Sequence, residues 1–166
     1  MALSSSCNVV ANPSFESGVL APWYTTVVDV AHVSNGTQAF SGDYYLDLET
    51  GYVTMGNLVS QRITDLQPGA NYTFSLQAMT PTSAANFCNV LVYMGGNATT
   101  GAVASTYDVV PNGGWTKVTG SYKARYREEV LHIFARCDSE DSSTSGDVYL
   151  DDVFLGVPEK CEAILD

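Results

Sequence analysis

Short runs of β-branched and aromatic residues, each closed by a turn, fill this chain, and no long segment repeats apolar residues at the helical period. The runs expected as strands are 9–10, 24–31, 44–48, 58–63, 71–79, 89–93, 116–122, 130–135 and 148–155. Glycines at 42, 51, 69, 95, 113 and 146 punctuate them. Gln67-Pro68-Gly69-Ala70 is a strong turn, because proline presets the backbone at its second position and glycine accepts positive φ at the third. Strands at this frequency predict an all-β sandwich or barrel.

Alternation assigns the faces. Over 71–79, Tyr72, Phe74, Leu76 and Ala78 share one side, and Thr73, Ser75, Gln77 and Met79 share the other. Over 44–48, Tyr44, Leu46 and Leu48 read as core, with Tyr45 and Asp47 outward. Leu131, Ile133 and Ala135 alternate with His132, Phe134 and Arg136. Several outward faces therefore carry aromatic and polar groups that suit a ligand.

Net charge is −11, from 18 acids against 7 bases. Nucleic acid and anionic membrane surfaces are disfavoured, since both bind through Lys and Arg. A neutral ligand or a cation stays compatible. Cys7, Cys88, Cys137 and Cys161 form no C-x-x-C pair, which argues against a zinc or redox site. Of the three connectivities open to four cysteines, Cys88–Cys137 and Cys7–Cys161 are favoured, the latter tying the termini; four buried free thiols are the alternative. Sequons at Asn35, Asn71 and Asn97 point to a secreted, extracellular protein. No run is long enough to span a membrane. Residues 1–6 are read as an expression start, 7–157 as one β-sandwich domain and 158–166 as a tail pinned by Cys161. A monomer is assumed.

Six stretches carry a resemblance. They are Asn12-Pro13-Ser14-Phe15-Glu16-Ser17-Gly18 followed by Trp23; Phe40-Ser41-Gly42-Asp43-Tyr44-Tyr45-Leu46; Val59-Ser60-Gln61-Arg62-Ile63; Leu66 to Phe74; Gly114-Trp115-Thr116-Lys117; and Val148-Tyr149-Leu150-Asp151-Asp152-Val153. In this order the chain resembles carbohydrate-binding modules of families 4, 9 and 22, and its general look resembles domains of secreted fungal proteins. The resemblance implies a galactose-binding-like fold, a jelly-roll β-sandwich of two antiparallel sheets. It also implies a non-catalytic module that binds a neutral cell-wall polysaccharide of the β-glucan or xylan class.

The same resemblance implies a structural calcium ion between the N-terminal and C-terminal segments. Its ligands would be the Glu16 and Asp151 side chains, the Ser14 carbonyl, and the carbonyl of Gly42 or Asp43. Calcium takes six to eight hard oxygens, a mixture of carboxylates and carbonyls. Strand parity expects Asp151 and Asp152 to face opposite ways. Glu16 and Asp151 read otherwise as surface or capping acids, or as a carboxylate dyad of a glycosidase.

Sugar rings offer apolar C–H faces to aromatic rings and hydroxyl rims to amides and charged groups. Tyr45, Tyr52, Tyr93, Tyr107 and Tyr126, in outward or loop positions, supply the first; Gln61, Gln77, His132 and Arg136 supply the second. Trp23 and Trp115 read as packed within the fold. No nucleophile elbow, phosphate loop or His-Glu-x-x-His occurs. The rival functions are a protein-interaction or adhesion domain on the same fold, whose tyrosines would anchor a partner, and a polysaccharide hydrolase or lyase.

Overall fold

Two antiparallel sheets stack in the computed structural model, which describes residues 7–52, 55–83, 85–139 and 145–162. The strands are β1 (Ala31–Asn35), β2 (Tyr44–Tyr52), β3 (Asn57–Ile63), β4 (Asn71–Met79), β5 (Ala85–Met94), β6 (Ala102–Val109), β7 (Thr116–Lys123), β8 (Glu129–Ser139) and β9 (Ser145–Gly156). A short helix α1 (Pro158–Glu162) follows. One sheet has the order β1-β2-β9-β4-β7 and the other β3-β8-β5-β6. The crossovers make the jelly-roll sandwich that the sequence resemblance implies.

The core lies between the sheets, and alternation puts it there. Tyr72, Phe74, Leu76 and Ala78 of β4 are buried, as are Leu46 and Leu48 of β2 and Leu131, Ile133 and Ala135 of β8. Each large side chain hidden in this way contributes roughly 1.5–3 kcal/mol. Both favoured disulfides are present. Cys88 lies directly opposite Cys137 on neighbouring strands, with their Cα atoms 3.9 Å apart. Cys7 is bonded to Cys161, with 5.1 Å between Cα atoms, and so joins the N-terminal segment to α1.

Three elements depart from the expected strands. The run at 24–31 is mostly irregular: Asp29 takes a left-handed backbone (φ 57°), and the strand begins only at Ala31. Tyr24 makes an isolated bridge to Ser60. Residues 9–10 form no strand, although Val9 N–H donates to the Leu155 carbonyl and Asn8 bridges Gly156. The sequence reading overlooked β6. It is an edge strand that buries only Val103 and Val109 and otherwise carries small or polar residues, so its apolar signal is faint.

Candidate functional site

Strands β5, β6 and β8 present an outer face built by the same alternation that fills the core. Register places Tyr93 opposite His132, Leu91 opposite Phe134, and Asn89 opposite Arg136. Ser105 lies opposite Leu91 on the other side. Successive rows are two residues apart, or about 7 Å along the strand. The Tyr93 and His132 rings stack at 4.8 Å with 29° between planes. His132 Nδ1 lies 2.7 Å from Ser60 Oγ, and burial pushes the imidazole below its ordinary value, which favours the neutral ring. Ser60 itself is buried, so this pair packs the strands together.

A groove of about 170 Å³ crosses this face, lined by Asn89, Leu91, Ser105, Tyr107, Phe134 and Arg136 among others. Tyr107 stands 65% exposed at its rim. Asn89 is buried, and its Oδ1 has no hydrogen-bond partner among the described residues. A buried acceptor left without a donor costs about 1–3 kcal/mol, so the groove holds a polar atom that a hydroxyl from outside would satisfy. Tyr93, Tyr107, His132 and Arg136 were legible as outward residues; Asn89 and Leu91 were not singled out, although they alternate with the core residues Val90 and Val92.

The other expected ligand residues do not join them. Gln61 is only 2% exposed and points inward with Val59 and Ile63. Its Oε1 accepts from Ala11 N–H (2.8 Å) and its Nε2 donates to the Ala11 carbonyl (2.9 Å). The outward placement of Gln61 is thus corrected: β3 alternates from Val59, so Gln61 falls on the core side, where its amide pairs with the N-terminal backbone. Tyr45 and Gln77 do face outward, but on the five-stranded sheet, and both are buried there. Tyr45 packs against Tyr149 at 4.6 Å, and Gln77 lies opposite Asp151 and Lys117. Tyr126 sits in the turn before β8, 63% exposed, with the Arg125 guanidinium 5.9 Å from its ring centre. The side chain of Tyr52 lies outside the described residues.

Of the tryptophans, Trp23 is buried, packs on Phe15 and donates its indole N–H to the Asn12 carbonyl. Trp115 is half-buried and meets Phe40 edge-on, 5.9 Å between ring centres.

Glu16 and Asp151 converge on the loop between β1 and β2. Glu16 Oε1 accepts from the N–H groups of Asp43 (3.0 Å) and Tyr44 (3.0 Å), and Oε2 accepts from Asp43 (3.2 Å). Asp151 Oδ2 accepts from Phe40 (2.9 Å) and Ser41 (3.0 Å), and Oδ1 from Asp152 (2.7 Å). Gly42, between these anchors, has φ 64°, and a Cβ there would collide with the Glu16 carboxylate. Asp151 is fully buried, and burial raises its carboxyl above the ordinary value against the pull of the N–H donors.

Asp152 departs from simple parity. It adopts φ 51° beside a register shift between β4 and β9 and is exposed, while Leu150 and Val153 on either side of the Asp pair are both buried. A bulge at Asp152 therefore inserts one extra residue and returns Val153 to the core side, while Asp151, next to the core residue Leu150, keeps its outward aim.

An ionised carboxylate offers about four acceptor positions, so three N–H contacts leave each of these two acids room for one more partner. Among the described residues no three His, Cys, Asp or Glu side chains cluster as a metal site. A cation here would have to complete its shell with backbone carbonyls. That suits calcium, which takes hard oxygens of either kind.

The sequence profile of the family described as "Carbohydrate binding domain" matches residues 7–134. No curated protein matches the chain. Among solved structures, TmCBM61 in complex with β-1,4-galactotriose superposes with TM-score 0.63 at 17% identity, covering 90% of this chain and 98% of that one. The CBM22-2 xylan-binding domain of Paenibacillus barcinonensis Xyn10C gives TM-score 0.61 at 20% identity, covering 87% and 97%. A cyclase from Fischerella sp. TAU, in complex with 4-(1H-indol-3-yl)butan-2-one, gives 0.64 at 12% identity, covering 91% and 96%. At these identities the likeness speaks for the fold alone; the same frame serves sugar binding in two of the three and a cyclase in the other.

Proposed function

Because the chain belongs to the carbohydrate binding domain family, we propose that it recognises a neutral cell-wall polysaccharide of the β-glucan or xylan class on the outer face of β5, β6 and β8. The observation that carries this reading is the unpartnered Asn89 Oδ1 in the groove beside Tyr107, Phe134 and Arg136. Tyr107 offers a ring for the C–H face of a sugar, and Arg136 offers donors for its hydroxyls. The net charge of −11 favours an uncharged glycan over an anionic one. The role is one of binding, in a domain that acts without catalysis. Affinity electrophoresis against neutral polysaccharides tests it: Tyr107→Ala and Arg136→Ala should each release the protein from the glycan that retards the wild type.

Calcium at the Glu16–Asp151 loop belongs to the same reading. The two carboxylates would hold it, together with the carbonyls of Ser14 and of Gly42 or Asp43, and the ion would supply only cross-linking of the chain ends. Convergence of both acids on one loop supports this. Two disulfides support an oxidising, extracellular setting. Among the described residues no helix is long and apolar enough to cross a membrane.

A further inference from the structure

A second cleft lies on the opposite sheet. It has a volume of about 600 Å³ and is lined by Thr37, Gln38, Met79, Pro81, Asn112 and Trp115 among others. Met79 lies opposite Tyr149 on the outer side of the five-stranded sheet, so the cleft opens away from the groove of β5, β6 and β8. One wall is the β1–β2 loop and the other is the connection between β6 and β7.

Three features distinguish this cleft from an incidental surface hollow. Phe40, beside the cleft rather than in its lining, has its backbone N–H fixed by the fully buried Asp151 carboxylate. Trp115 stands edge-on to Phe40, and its indole N–H is spent on the Gln38 carbonyl across the cleft wall (3.2 Å), which locks the ring in place. The remaining rim is uncharged, with Thr37, Gln38 and Asn112 all exposed. A fixed indole wall, braced by Phe40 and set against a neutral hydroxyl and amide rim, matches a sugar ring, because the indole need lose no rotamer freedom on binding. Among the described residues that line the cleft none is charged, so they offer nothing to pair with an ionic ligand.

We propose that this cleft is a second carbohydrate subsite, taking one or two neutral pyranose units. It needs no contribution from the groove on the other sheet, so the domain presents sugar sites on both faces.

Trp115 and Trp23 are the two tryptophans of the chain, so the indole N–H resonances report on the cleft and on the core separately. The test is an NMR titration with xylohexaose and with β-1,4-galactotriose. The Trp115 resonance should shift saturably with at least one sugar while that of Trp23 stays fixed. The shift should persist in a Tyr107→Ala/Arg136→Ala double variant. Phe40→Ala, which removes the ring that packs edge-on against Trp115, should weaken the titration about fivefold or more. A Trp115 resonance unmoved by both sugars overturns the proposal, as does a shift that vanishes in the double variant or survives Phe40→Ala unchanged. A Trp115 response with no response at Tyr93 or Arg136 would instead overturn the first groove and leave the second site standing.

Discussion

Glu16 and Asp151, from opposite ends of the chain, grip one loop: the first holds the N–H groups of Asp43 and Tyr44, the second those of Phe40 and Ser41. Asp151→Ala strips the acceptor from two loop N–H groups and should cost about 2–4 kcal/mol of unfolding free energy. Calcium should raise the wild-type melting temperature, a chelator should lower it, and Asp151→Ala should be insensitive to both. Equal melting of the wild type with and without chelator would leave the N–H contacts alone as the fastening and remove calcium from the account.

The outer face of the five-stranded sheet predicts a pH dependence. Asp47 lies opposite His32 on β1 and Tyr149 on β9. Burial, then the neighbouring Asp147 carboxylate, pushes the Asp47 carboxyl up to about 7; Glu49 adds to the rise and His32 opposes it. The Tyr149 hydroxyl is pushed up to about 12 by burial and by Asp47, so it stays neutral throughout. An acid whose folded value exceeds its unfolded one keeps its proton better in the fold. Its contribution is therefore lost as pH rises from the ordinary 3.8 toward about 7. Asp47→Asn should flatten the slope of urea stability against pH in that window and be more stable than the wild type at pH 8. A variant with the wild-type slope would show that other groups set it.

Gln61 gives a test that separates core from ligand face. Its amide satisfies both backbone groups of Ala11. Gln61→Ala should lose roughly 2–3 kcal/mol, because it leaves a buried donor and acceptor without partners. Polysaccharide retention should be unchanged at a temperature where the variant is folded. Wild-type stability with lost retention would return Gln61 to the binding surface.

Much of the sandwich was readable because period-two alternation is strong in interior strands paired on both sides, as in β4 and β8. It failed at Gln61, where a polar residue occupies a core position to pair with Ala11, a partner far away in sequence. It failed again at β6, whose edge position asks for few large apolar side chains. The meeting of Glu16 with Asp151 was legible through the resemblance, but the bulge at Asp152 was not, since one left-handed residue carries no sequence period. Spacing alone also could not say that Tyr45 and Tyr93 lie on different sheets, because that depends on strand order. Trp115 read as packed, and is half-buried at the wall of a cleft that forms only when the β1–β2 loop folds over the sheet.

The most direct test is isothermal titration of xylohexaose into the wild type and into Asn89→Ala, whose amide is otherwise uncommitted at Oδ1. Saturable binding to the wild type, weakened about tenfold or more in the variant at unchanged fold, is the expected result for a lost hydroxyl partner. Identical binding isotherms for the two proteins would contradict the assignment of the β5–β6–β8 face as the place where the glycan is held.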